Sequence, residues 1–235
     1  MNVYRALRRG TALRALAGME PFVWVRRRPG VEEFGSRYGR WAIDTTRLGR
    51  DSVIASFGLG EDITFEDAVM ARFGCRVLGF DPTPRAVQHL QAKNTSPRLS
   101  HFPVALGVSD GVVDFAVPPG DAADQVSASA VADYGATGAR FSVPCRGLPG
   151  ALQLAGASHI DVLKLDIEGA EYGVLDAAAE QGWLAGVGQV LVEFHHFLPG
   201  LCASQTRAAL ALLRGLGYDI AWVGRTNHEY LFVRA

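Results

Sequence analysis

The chain predicts an α/β fold built on a mostly parallel sheet of seven strands, and three features of residues 52–235 carry that reading. Short β-like apolar runs alternate with segments whose apolar residues recur at helical spacing, the pattern of a doubly wound parallel sheet. A pair of glycines follows the first run. The last two runs are joined by RTNH alone, too short for a parallel crossover, so they must pair antiparallel.

Taken in order, SVIASF (52–57) is the first strand, and a helix follows over about 63–73. RVLGFD (76–81) is the second strand; Pro84, suited to a helix start, opens the helical segment that continues as VQHLQAK. A third strand is expected near 100–105. Residues 107–147 break the rhythm: GVVDFAV and FSVPCRG have strand character, and the small, polar PPGDAADQVSASA lies between them. This predicts an inserted hairpin with a mobile loop, whose Ser/Ala-rich stretch 121–132 is either a lid or a surface insertion. DVLKLD (161–166) is the next strand, followed by the helix YGVLDAAAEQG with Val174, Leu175 and Ala178 at helical spacing. QVLVEF (189–194), a helix over about 203–216, and the strands YDIAWVG and EYLFVRA complete the order. A parallel sheet ending in an antiparallel hairpin separates a class I methyltransferase from a nicotinamide dehydrogenase.

Among 235 residues, 49% are hydrophobic and 20% charged, which suits a globular core and excludes a disordered tail, a fibre and a coiled coil. No apolar stretch approaches the ~18 residues of a spanning helix, so a protein without a transmembrane segment is expected. Cys75, Cys145 and Cys202 show neither a disulfide framework nor a zinc knuckle, and a reducing cytoplasm is the expected compartment. The N-terminus lacks the apolar segment and cleavage site of a secretory signal, and residue 1 is expected to belong to the working protein. Residues 1–50 carry 11 Arg against 4 acids, leaving 12 basic and 20 acidic residues for the remainder. That basic N-terminal arm, read as a helical extension, suits a solvated face or docking on the acidic remainder better than contact with nucleic acid, an acidic membrane surface or a negatively charged substrate, and nucleic acid is not an expected partner.

The first strand ends in SFGLGED (56–62), where Gly58 and Gly60 have the spacing of a turn that lets backbone approach a nucleotide cofactor. Asp81, 21 residues beyond Gly60 at the end of the second strand, is placed to accept hydrogen bonds from ribose hydroxyls. A pyrophosphate cofactor wants an uncluttered helix N-terminus. Glu61 and Asp62 stand there instead and favour the cationic S-adenosylmethionine, while also complementing the helix dipole. The densest group is KLDIEGAEYGVLD (164–176), which places Asp166, Glu168 and Glu171 around a strand end. The neighbouring strand, ending VEFHH (192–196), is expected to bring Glu193, His195 and His196 to the same rim.

With YGRW (38–41), SFGLGEDITFE (56–66), FDPTP (80–84), LKLDIEGAEYGVL (163–175) and LVEFHH (191–196), the chain resembles the FkbM-type methyltransferases and their methyltransferase-like relatives. The LDIEGAE block is the specific piece. The resemblance implies a class I, Rossmann-like methyltransferase domain over 51–235 with an insertion at 107–147, S-adenosylmethionine as methyl donor, and a small hydroxylated acceptor such as a sugar or polyketide. By position, the cofactor would be held by Phe57, Gly58, Gly60, Glu61, Asp81, Pro82, Val104, Ala105 and Asp166, with Tyr38 and Trp41 as cover. Asp166, Glu168, His195 and His196 would carry the reaction. The chain departs from the family at two points: Ser56 stands where an acid commonly ends the first strand, and Glu61 and Asp62 displace the glycine that follows.

Methyl transfer to an alcohol needs a base, and His195 or His196, held by Asp166 or Glu193, is the expected one. A divalent metal, Mg²⁺ or Mn²⁺, on Asp166, Glu193 and His195 is the alternative activator, although the spacing matches no dedicated metal motif. Two other classes remain: a nicotinamide-dependent oxidoreductase, which shares the glycine turn and the distant Asp, and a non-catalytic nucleoside-binding protein, for which Ser56 speaks. A homo-oligomer is compatible with this composition.

Overall fold

A computed structural model describes residues 18–93, 96–118, 127–134 and 139–235, and residues 3–5 by their backbone. The first half of the stretch 121–132, read as a lid or insertion, lies outside the described residues (121–126), as does the helical reading of the arm where it concerns residues 6–17. Among the described residues no helix is long and apolar enough to cross a membrane.

The arm contains β1 (Val3–Arg5), antiparallel to β2 (Trp24–Arg26), and β3 (Val31–Phe34), antiparallel to β4 (Trp41–Asp44). Residues 18–50 therefore form strands and one short 3₁₀ turn where a helical extension was expected. Then come β5 (Val53–Phe57), α1 (Thr64–Phe73), β6 (Arg76–Phe80), α2 (Pro84–Lys93), β7 (Leu99–Phe102) and β8 (Ala105–Leu106). The insertion supplies β9 (Gly111–Ala116) and β10 (Arg140–Arg146); α3 (Leu148–Leu154), β11 (Val162–Leu165), α4 (Glu171–Glu180) and β12 (Gln189–Glu193) follow. The chain closes with α5 (Ala203–Gly215), β13 (Tyr218–Val223) and β14 (Glu229–Arg234).

The main sheet has seven strands in the order β13-β14-β12-β11-β5-β6-β7, and β14 is antiparallel to both of its neighbours. The last strand thus inserts between β12 and β13 instead of adding at an edge. β5 and β11 are buried along their whole length, as parallel strands covered on both faces must be. Side chains alternate between two apolar layers: Ala55, Phe57, Leu163 and Leu165 enter one, Ile54 and Val162 the other. Helix ends follow local chemistry, with Pro84 opening α2 and Gly74, at φ 69°, closing α1 through its N–H to the Met70 carbonyl.

The third expected strand divides in two. Pro103 has no N–H to give to a ladder, and the chain turns there, Val104 N–H bonding back to the Phe102 carbonyl at 2.9 Å. β7 stays in the main sheet, while β8 joins β10 and β9 in a separate sheet of three.

The basic arm docks on the acidic remainder. Arg26 and Arg28 meet Asp219 of β13 at 2.6 and 3.2 Å. The buried Gln189 amide imitates a strand partner for β4: it accepts the Asp44 N–H at 2.8 Å and donates to the Asp44 carbonyl at 2.9 Å.

Gly58 is the tightest point of the sheet edge. It sits at φ +79°, and a Cβ there would lie 1.7 Å from the Asp166 carbonyl oxygen. Gly58→Ala is therefore expected to lower stability by about 3 kcal/mol through combined backbone strain and overpacking, measured by urea unfolding.

Candidate active site

Sheet register lines up the strand ends that build the site. Phe57 pairs with Leu165 and Leu165 with Val192, so Gly58, Asp166 and Glu193 stand side by side at the C-terminal edge, where open α/β sheets take their ligands. His195, two residues past β12, is buried with its ring facing that row. Its Nε2 is 3.7 Å from both Asp166 Oδ1 and Glu168 Oε2, and its Nδ1 is 3.3 Å from Glu171 Oε1. The same Glu171 oxygen accepts the His195 backbone N–H at 2.8 Å, and its other oxygen accepts the Gly169 N–H at 2.8 Å. Glu171, fully buried at the start of α4, thus orients the imidazole and makes Nδ1 a donor.

This crowding sets the charges. Burial would lower the His195 imidazolium, but the Glu171 hydrogen bond and the surrounding carboxylates carry it up to about 10. Burial pushes Glu168 up to about 7, the His195 charge opposing and Asp166 assisting. Glu193 is driven up to about 9 by burial and then by the Asp166 carboxylate, and burial also raises Asp166 against the pull of Lys164 and His195. A histidine poised near neutrality was expected; the structure holds His195 charged and makes Glu168 the group that titrates there.

The rim faces a cleft of about 1230 Å³, whose walls include Tyr38, Trp41, Gly58, Gly60, Glu61, Asp81, Asp166, Glu168, Glu193 and His195. A recess of about 40 Å³ adjoins it, lined by Phe57, Pro82, Val104 and Ala105 and sharing Gly58, Asp81, Asp166 and Glu168 with the cleft. Phe115 and Ala128 of the insertion close the recess. Tyr38 stands at the mouth, 91% exposed, whereas Trp41 is buried in the wall.

Three groups of expected site residues have partners within the fold. His196 is turned away from the cleft: its Nε2 lies 3.1 Å from Glu20 and its Nδ1 3.0 Å from the Thr206 hydroxyl. Asp81 accepts the N–H groups of Leu59 and Gly60 at 3.0 and 2.9 Å on one oxygen, and the N–H and hydroxyl of Thr83 at 2.9 and 2.6 Å on the other. These four contacts tie the glycine turn to the second strand, and Asp81 also lines both the cleft and the recess. The acids at the start of α1 have local partners: Glu61 pairs with Arg85 at 2.6 Å, and Asp62 accepts from Ser36 Oγ at 2.6 Å and from the Thr64 N–H at 3.0 Å. The acids free to face a cationic ligand come from β11 and β12.

Ser56 acquires an acid through space. Its hydroxyl donates to Glu66 Oε1 at 2.7 Å, and that carboxylate pairs with Lys164 at 3.4 Å in a fully buried group beneath the glycine turn. Lys164 Nζ also donates to the Gly58 carbonyl at 3.1 Å and lies 5.1 Å from the Trp41 ring centre. Burial would lower this ammonium, and Glu66 and Asp166 reverse the effect. Neither Glu66 nor Lys164 was singled out from the sequence. The signal was available: a lysine within the otherwise apolar run VLKL must find a buried partner.

A seven-stranded sheet whose last strand inserts antiparallel between its neighbours, with a glycine turn and a ligand cleft at the C-terminal edge, defines the class I methyltransferase architecture. Within that class the chain belongs to the FkbM methyltransferase family, whose domain model matches residues 52–220. It is 32% identical over 155 residues to the probable methyltransferase-like protein 24 of Rattus norvegicus, covering 66% of this chain and 36% of that protein. Against the Homo sapiens protein of the same description it is 31% identical over 147 residues, covering 62% of this chain and 33% of that one. The chain thus spans about a third of the length of these curated relatives. The crystal structure of a methyltransferase FkbM from Methylobacillus flagellatus shares the fold, with a TM-score of 0.50 at 15% identity over 80% of this chain and 45% of that one.

Replacing Glu171 with Gln removes the charge that sustains the imidazolium. The His195 titration, followed by NMR of the ring nitrogens, is expected to fall from about 10 toward the ordinary histidine range.

Proposed function

We propose that the chain transfers a methyl group from S-adenosylmethionine to a hydroxyl of a small acceptor, such as a sugar or a polyketide. The observation that carries this reading is the carboxylate group Asp166, Glu168 and Glu193, set around His195 at the cleft edge beside the glycine turn. The residues present fit the cofactor in two respects. A Cβ on Gly60, which lines the cleft at φ +56°, would meet nothing within 4 Å, so the turn leaves open space there. Pro82, Val104 and Ala105 give the cleft an apolar edge against which a base can lie, and Asp166 and Glu168 join that edge to the acidic cleft.

When bound, S-adenosylmethionine supplies a methyl carbon carried on a cationic sulfur. Ionised carboxylates at the end of β11 favour that positive charge in a partly desolvated site; Glu193, driven up to about 9, adds to them only once deprotonated. Glu168 would take the acceptor hydroxyl proton on its carboxylate as the new carbon–oxygen bond forms and the methyl–sulfur bond breaks, its electron pair leaving on sulfur. Its position near neutrality suits a base better than His195, which is already protonated. His195, clamped by Glu171, keeps Asp166 and Glu168 in place through Nε2. Positioning of acceptor against donor supplies the larger share of the rate, ~7 to 11 kcal/mol.

A second reading places a divalent cation on Asp166, Glu193 and His195, whose donor atoms lie within 4.8 Å of one another. Two carboxylates and an imidazole suit Mg²⁺ or Mn²⁺, which would act as a Lewis acid for the acceptor oxygen. The ion would have to displace a proton that His195 holds up to about 10, which favours the metal-free reading.

Calorimetry is expected to show binding of S-adenosylmethionine and none of NADH; the reverse preference would make the chain an oxidoreductase. Glu168→Gln should reduce kcat about 10²- to 10⁴-fold with cofactor affinity unchanged. Because a raised carboxyl is an active base only once deprotonated, the wild-type rate should climb through about pH 7. Activity should survive exhaustive chelation. Loss that Mg²⁺ or Mn²⁺ restores, and Zn²⁺ does not, would establish the metal reading.

A further inference from the structure

A second group of ligating side chains lies behind the cleft wall, on three segments far apart in the chain. Glu20 comes from the arm, His196 from the loop after β12, and His228 from the turn between β13 and β14. His196 Nε2 is 3.1 Å from Glu20 Oε2, and His228 Nε2 is 3.8 Å from Glu20 Oε1, so two imidazoles address opposite oxygens of one buried carboxylate. We propose that Glu20, His196 and His228 form a zinc-type site that fastens the N-terminal arm to the back of the cleft.

Each side chain is held by groups outside the triad. The Thr206 hydroxyl lies 3.0 Å from His196 Nδ1 and 3.0 Å from the Tyr172 hydroxyl, which fixes the ring with Nε2 toward Glu20. That is the support metal-binding histidines characteristically receive on their other nitrogen. The His228 ring stacks on Phe197, centroids 4.5 Å apart. Asn227, buried and at φ 70°, shapes the turn that presents His228 and donates to Glu20 Oε2 at 3.3 Å.

Donor chemistry and spacing agree with the ion. Two histidines and one carboxylate make a familiar zinc set, leaving a fourth position for water. Bonds of ~2.0 Å in a tetrahedron separate ligand atoms by roughly 3.3 Å. The 3.1 Å separation is already close to this, and the donor atoms of all three residues lie within 4.8 Å of one another. The competing state is a hydrogen-bonded cluster in which both Nε2 atoms carry protons for Glu20. The two states differ in whether an ion can displace those protons.

The site touches catalysis from behind. His196 follows His195 directly, and Phe197 and Asn227 line the cleft. An ion here would tie the arm to both segments and stabilise the folded chain by its own binding energy.

The full chain, stripped with a chelator and desalted, is titrated with Zn²⁺ and with Co²⁺. One equivalent per chain is expected, with the visible absorption of tetrahedral Co²⁺ and a Zn²⁺-dependent rise in Tm. His228→Gln and Glu20→Gln should lose that equivalent, Glu193→Gln in the cleft should keep it, and Thr206→Val should weaken it about 10- to 100-fold. If Glu20→Gln does not fold, the more accessible His228→Gln decides. No binding by the wild-type chain, equal binding by His228→Gln, or loss of the ion in Glu193→Gln would each overturn the proposal.

Discussion

Two strand ends approach so closely that residue 58 has no room for a side chain, and the rest of the site is arranged about that contact. The Asp166 carbonyl occupies the place of a Cβ on Gly58. β5 and β11 can therefore run in register to their ends, with Glu193 delivered beside them by β12. The turn that follows is then held from two sides. Lys164 bonds the Gly58 carbonyl from beneath, and Asp81 collects the next two N–H groups from the flank. A glycine turn fixed this way stays open toward the cleft at Gly60 without depending on a ligand to order it.

The second organising constraint is the burial of charge. An isolated carboxylate in an apolar interior is costly, and the protein answers by grouping acids with bases and by letting some acids keep their protons. Beneath the turn, Glu66 and Lys164 neutralise one another with Ser56 as a hydrogen-bond donor. At the rim, four carboxylates share one imidazolium, and that imbalance is why Glu193 and Glu168 are driven upward while His195 stays charged. Catalytic character and structural cost have the same origin here: the desolvation that raises Glu168 also brings it near the working pH of a base.

The N-terminal arm participates in this economy. Its β4 lies against the sheet through the Gln189 amide, its arginines meet Asp219, and Trp41 forms part of the wall beside Lys164. The charge asymmetry between residues 1–50 and the remainder is thus partly discharged within the fold.

Alternating apolar runs made the order of strands and helices legible, because a buried parallel strand and an amphipathic helix each impose a period on their own residues. The glycine turn, the LDIEGAE block and the closing antiparallel pair were readable for the same reason: local chemistry determines them. Facts that depend on long-range packing were hidden. Nothing local shows that β14 inserts between β12 and β13, or that Pro103 sends the chain into a second sheet. The adjacent histidines 195 and 196 were indistinguishable by type, yet they point to opposite sides of the rim, one toward Glu171 and the other toward Glu20. The sequence by itself determined which ionisable groups reach the edge of the sheet. Only the tertiary structure decided which of them face the cleft and which carry a proton, because desolvation and partner distance are properties of the packed chain.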